Sequence, residues 1–62
     1  MEKPRIVRTP EAAAYLGLSA SALEKKRITG DGPEFVRLGG RAIGYELAAL
    51  DAWIEEQRKK SS

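Results

Sequence analysis

Between Leu16 and Ala20 stand only Gly17, Leu18 and Ser19, and no other stretch limits the fold as strongly. Before it, Thr9-Pro10-Glu11 reads as a helix start. Threonine can cap, proline suits the first helical position, and glutamate complements the positive end of the helix dipole. Ala12-Ala13-Ala14-Tyr15-Leu16 then favours helix throughout, and Gly17 is free to take the left-handed conformation that stops it. Ser19 is a good N-cap for a second helix from Ala20 to Arg27 or Ile28, with Leu23 and then Arg27 or Ile28 turned inward. A first helix of barely two turns cannot stand alone. So tight a turn makes the second cross it steeply, which is helix-turn-helix geometry.

The loop Thr29-Gly30-Asp31-Gly32-Pro33-Glu34 is dense in turn formers. After it, Phe35-Val36-Arg37-Leu38 and Arg41-Ala42-Ile43-Gly44-Tyr45 flank Gly39-Gly40. This predicts a two-stranded hairpin with a primed turn, since both glycines can take positive φ. Alternation sets Val36 and Leu38 on one face and Arg37 on the other; on the return strand Ile43 and Tyr45 face in, Ala42 and Gly44 out. The last segment reads as a helix from about Glu46 to Arg58, with Leu47, Leu50 and Ile54 at helical spacing and Trp53 beside them. The predicted core is Ala13, Leu16, Leu18 and Leu23 from the helices, Phe35, Leu38, Ile43 and Tyr45 from the hairpin, and Leu47, Leu50, Trp53 and Ile54 from the last helix. Loss of a fully buried Trp53 ring would cost about 3–5 kcal/mol. The fold class is α+β, mostly helical: a winged helix-turn-helix of helix-turn-helix, hairpin wing and C-terminal helix. The domain spans 6–58, with a flexible N-terminus over 1–5 and a frayed tail over 59–62.

Composition narrows what such a fold can do. A chain of 62 residues with no cysteine and no histidine is one small domain, burying only about 60% of the surface its unfolded form exposes. It has no disulfide, lacks the ligands of a structural zinc site, and cannot build Ser–His or Cys–His nucleophiles. No enzyme and no cofactor are expected. Asp51 and Glu55 are an i,i+4 carboxylate pair without a third metal ligand. The longest apolar stretch, Ala12 to Leu16, is far short of a membrane span, and the opening Met1-Glu2-Lys3-Pro4-Arg5 lacks the apolar core of a signal peptide. A cytoplasmic location is expected, with no membrane partner.

Net charge is only +2, from 11 bases and 9 acids, but the placement is uneven. Glu46, Asp51, Glu55 and Glu56 cluster between residues 46 and 57, a stretch without a base, whereas the first 45 residues are predominantly basic. An acidic last helix and a basic surface elsewhere follow. The second helix projects Ala20, Ser21, Glu24 and Lys25 opposite Leu23, and small residues near its start, Ser19 included, let backbone amides approach a phosphate. Lys25 can reach a phosphate or the acceptor edge of guanine. Arg37 and Arg41 sit near the hairpin tip, and Thr9 can donate a further phosphate contact. Together these groups are what the architecture offers a polyanion.

The run from Thr9 through Tyr15-Leu16-Gly17-Leu18-Ser19, then Gly32-Pro33-Glu34-Phe35-Val36-Arg37-Leu38-Gly39, Tyr45 and Leu50-Asp51-Ala52-Trp53-Ile54, resembles small winged helix-turn-helix proteins of the AlpA and phage excisionase type, relatives of MerR DNA-binding domains. The resemblance covers about residues 6–54. It implies a monomeric, cofactor-free, double-stranded DNA-binding protein with the second helix in the major groove and the wing on the flanking backbone. It also implies a job as transcriptional regulator or recombination directionality factor, with an integrase or neighbouring copies as further partners. Carried over by position, Ala20, Ser21, Glu24 and Lys25 face the groove, Arg27 lies near the backbone, and Arg37 and Arg41 belong to the wing. Relatives place a basic residue just before the tyrosine, where this chain has Gly44, and polar or aromatic side chains where it has Ala20 and Glu24. The alternative is a protein-interaction module that kept this fold and docks a partner on the acidic helix.

Overall fold

The computed structural model describes residues 5–61. In chain order the elements are β1 (Ile6–Arg8), α1 (Thr9–Leu16), α2 (Ala20–Thr29), β2 (Val36–Gly39), β3 (Ala42–Glu46) and α3 (Leu47–Ser61). The helix-turn-helix and the hairpin stand as the sequence predicts, but the hairpin is part of a three-stranded antiparallel sheet in the order β1-β3-β2. Three residues, Ile6-Val7-Arg8, give too little alternation for a strand to register in the sequence. Tertiary contact makes them a strand: Val7 pairs with Tyr45 and is 5% exposed, while its neighbours face solvent.

The turn between α1 and α2 is closed by backbone hydrogen bonds. Gly17, at φ 76°, caps α1; its N–H donates to the Ala14 carbonyl at 3.2 Å, and the Leu18 N–H donates to that of Ala13 at 2.8 Å. These paired bonds satisfy carbonyls that a helix end otherwise leaves open. Ser19 is the N-cap of α2, its Oγ accepting from the Ala22 N–H at 3.1 Å. The start of α1 differs from expectation. Arg8 holds the N-cap position in extended conformation without a side-chain cap, and Thr9 is already helical with Pro10 behind it. Pairing of β1 through Arg8 carries the chain into the helix in the sheet's own direction, so no threonine cap is needed.

The hairpin register also departs from the alternation argument. Val36 pairs with Gly44, Arg37 with Ile43 and Gly39 with Ala42, with an irregularity between Arg37 and Gly39. Directly opposed residues share a face, so Val36 lies with Gly44 on the outer face rather than with Ile43 and Tyr45. Leu38 accordingly leaves the predicted core and is 46% exposed. The irregularity moves the turn to Gly40-Arg41, where only Gly40 has positive φ among the two central residues. Gly39, at φ 120°, and Gly40, at φ 55°, both take the positive φ that glycine allows. Phe35 precedes the strand.

The buried core comprises Val7, Ala12, Ala13, Leu23, Ile43, Tyr45 and Leu50, with Leu16, Leu18, Phe35 and Leu47 packed against it. Val7 and Ala12 are additions to the predicted set. Trp53 and Ile54 are only half-buried, because they line an open groove with Leu16 and Leu18 between the turn and α3. α3 begins at Leu47, whose N–H donates to the Arg5 carbonyl at 3.0 Å, and it continues through Ser61, past the expected end at Arg58. Residues 59–61 of the expected frayed tail are therefore helical; Ser62, and Met1–Pro4 of the expected loose N-terminus, lie outside the described residues.

Candidate nucleic-acid interface

α2 is held from one side. Leu23 is fully buried and anchors its inner face, while Ser21, Glu24 and Lys25 are exposed on the outer face, one turn apart along the helix. Ser19 is exposed at the N-cap, and Ala20 is half-buried at the flank rather than projecting fully outward. The cap leaves the first amides of α2 at an exposed end that carries no acid in its first turn, so the partial positive charge of the helix start is not neutralised there.

The bases at the end of α2 are disposed differently from one another. Lys25 is exposed, Lys26 Nζ sits 6.0 Å from the Trp53 ring centroid, and the Arg27 guanidinium sits 5.7 Å from that of Phe35. Arg27 is half-buried, with its Nε shielded from solvent and no hydrogen-bond partner. Stacking on an aromatic face restrains an arginine while leaving its outer nitrogens able to donate. Ile28, one of two residues the sequence left open as inward-facing, points outward at 77% exposure; Arg27 takes the inward place.

The loop after α2 is tied to α3. The Trp53 indole N–H donates to the Asp31 carbonyl at 3.1 Å, and the Thr29 hydroxyl donates to the Asp31 carboxylate at 3.2 Å. The Asp31 N–H in turn closes the end of α2 on the Lys26 carbonyl at 2.9 Å. Trp53 thus ties the loop at the far end of α2 to α3.

In the hairpin, Arg37 and Arg41 are both exposed, Arg37 opposite Ile43 in the ladder and Arg41 in the turn. Thr9 stands apart from them, half-buried in the first turn of α1. Arg8 is one of the bases of the first 45 residues, and its place on a strand is set only by the sheet. It is exposed and pairs with Gly44, which pairs on its other side with Val36, so all three share the outer sheet face. The signal was the alternation of Ile6-Val7-Arg8, legible only once a partner strand is known.

The acidic side of the molecule is partly occupied by its own contacts. The Tyr15 hydroxyl donates to Asp51 Oδ1 at 2.6 Å, and Arg58 lies 3.5 Å from Glu55. The hydrogen bond to Asp51, followed by desolvation and the carboxylate's charge, holds the Tyr15 phenol above its ordinary value of 10.0. Among the described residues there is no group of three or more acidic, histidine or cysteine side chains that could hold a metal ion, and no helix long and apolar enough to cross a membrane.

Residues 6–58 match the profile of a family described as a helix-turn-helix domain. The chain belongs to that family. It is a helix-turn-helix DNA-binding protein, of a family that is typically non-enzymatic. Comparison with curated proteins gives no significant match. Within the helix-turn-helix frame, α1 and α2 are the paired helices, and the matched span runs on through the sheet and most of α3.

Proposed function

We propose that this protein binds duplex DNA in a sequence-specific manner, with α2 in the major groove and the β2–β3 hairpin on the flanking backbone. The observation that carries this reading is the one-sided mounting of α2: fully buried Leu23 behind, polar Ser21, Glu24 and Lys25 exposed in front. A helix so mounted matches the width of the major groove, and its side chains meet base edges there. Lys25 suits guanine or a phosphate, and Glu24 suits the amino group of cytosine. The amides behind Ser19, with Ala20 close by, suit a phosphate, as does the hydroxyl of Thr9. Arg27, Arg37 and Arg41 supply backbone contacts, the last two from the wing.

Acting as a monomer without cofactor, such a module serves as a small transcriptional regulator or as an excision factor that bends DNA beside a recombination site, where an integrase or adjacent copies would be its partners. A reading as a protein-docking module is less well supported, since Asp51 and Glu55 on the acidic helix already engage Tyr15 and Arg58.

The test is the salt dependence of binding to a mixed-sequence duplex. With about four to six phosphate contacts, log K falls with log salt at a slope of about −4 to −5. Replacing Arg37 and Arg41 together by glutamine flattens the slope by up to about two units. An unchanged slope removes the hairpin from the interface. Amide shifts in residues 19–28 and 37–44 during an NMR titration at low salt locate the same surface, and their absence removes the DNA reading. A bending assay on the selected site then separates an excision factor from a simple repressor.

A further inference from the structure

Among the described residues four large apolar side chains are substantially exposed: Ile6 at 43%, Tyr15 at 48%, Leu38 at 46% and Ile28 at 77%. Three of them have a place within the molecule. Tyr15 donates its hydrogen bond to Asp51. Ile6 and Leu38 close over Gly44, where an added Cβ would come within 2.6 Å and 2.9 Å of their methyl groups. Ile28 has no place in the core cluster and is the most exposed of the four. It is also a β-branched residue in the last turn of an exposed helix, where propensity favours many other residues. Neither packing nor helix formation accounts for it.

Its position on α2 does. Ser21, Lys25 and Ile28 are spaced i, i+4 and i+7, with Glu24 beside Lys25, so Ile28 extends the exposed face opposite Leu23. Every other member of that face is polar. Of the groups on the floor of the major groove, only the thymine C5-methyl is apolar, and it is read by apolar contact. We propose that Ile28 is a specificity-determining residue that reads a thymine methyl group. This rests on the placement of α2 in the major groove and deepens it. From Ser21 to Ile28 the helix rises about 10 Å, so the thymine lies beyond the base that faces Ser21, toward the end of the site nearer the C-terminus of α2.

The experiment starts with the full chain and a pool of random-sequence duplexes, from which bound sites are selected. Wild-type protein is expected to enrich a site with a fixed thymine near one end. Replacing that thymine by deoxyuridine removes only the methyl group, and wild-type binding falls about three- to fivefold, the worth of one buried methyl. Ile28→Ala, on an exposed position that does not test the core, binds the thymine and deoxyuridine sites equally. An Ile28→Ala protein that keeps the wild-type ratio between the two overturns the proposal, as does a wild-type protein indifferent to the methyl. Loss of all binding by Ile28→Ala on both duplexes overturns it too, assigning the side chain to another contact. Failure of the underlying reading is seen earlier and separately, as wild-type protein that enriches no site or binds no duplex.

Discussion

Tyr45 is the largest fully buried side chain, and its hydroxyl has no hydrogen-bond partner. A buried unpaired hydroxyl loses its water without compensation, at about 1–3 kcal/mol. Tyr45→Phe keeps the ring and its tilted contact with Phe35 at 6.4 Å while removing that penalty. The variant should be as stable as wild type or more stable by about 1 kcal/mol in urea titration; a clear loss would mean the hydroxyl is satisfied in solution. Tyr15 gives a prediction of the opposite kind. Its folded pKa is raised above 10.0 by Asp51, so the bond to Asp51 contributes stability fully below the unfolded value. That contribution is lost as pH rises through the folded one. The difference in Tm between wild type and Tyr15→Phe should shrink above pH 10, and a gap that stays constant to the alkaline limit would remove the hydrogen bond as its source.

At the scale of the elements, two devices set the position of α2. One is local: Gly17 at φ 76° and the capped Ser19 fix the angle at which α2 leaves α1. Gly17→Ala places a Cβ in open space but in the left-handed region, and should cost about 1 kcal/mol. The other is remote, the Trp53 indole held to the Asp31 carbonyl beneath the stacked Lys26. Trp53→Phe keeps an aromatic ring and loses the donor. It should cost about 1 kcal/mol and speed amide exchange at residues 29–32 before it alters exchange in the sheet. Equal acceleration everywhere would mean that Trp53 supports the whole domain rather than the end of α2. Because Trp53 is half-buried, Trp53→Ala should fall below the cost of a fully buried indole.

For the whole molecule, 62 residues leave little stability in reserve, a few kcal/mol by the usual per-residue scale. One core joins sheet and helices, with Leu23 of α2, Tyr45 of β3 and Leu50 of α3 all fully buried in it. Leu50→Ala should cost about 2–5 kcal/mol and leave much of the chain unfolded at physiological temperature. DNA binding should then be lost in proportion to the unfolded fraction seen by circular dichroism, although Leu50 lies in α3. Binding that outlasts unfolding of the core would show that α2 is ordered by DNA itself. The charge asymmetry also belongs to this scale. By element, α2 carries Lys25, Lys26 and Arg27 against Glu24 alone, whereas in α3 Asp51, Glu55 and Glu56 are matched by Arg58, Lys59 and Lys60, so the positive field facing a polyanion centres on α2.

Residues 9–30 and 47–58 were legible from sequence because their signals are local: proline and serine near helix starts, Gly17 at a stop, apolar residues at helical spacing. Ser21, Glu24 and Lys25 were placed correctly outside for the same reason, since helical periodicity opposite a single buried leucine assigns a face. The sheet was different. Strand pairing joins residues far apart in the chain, and a shift of one position reverses every side chain. The fate of Leu38, the position of the turn and the third strand therefore depended on the register of β1, β2 and β3. Likewise, only tertiary packing could decide that Arg27 turns in upon Phe35 while Ile28 turns out. By itself, then, the sequence determined the helices, their tight turn and the exposed polar face of α2, all products of neighbouring residues. The sheet's faces, the outward placement of Arg8 and the exposure of Ile28 came from contacts between distant segments, which no local propensity encodes.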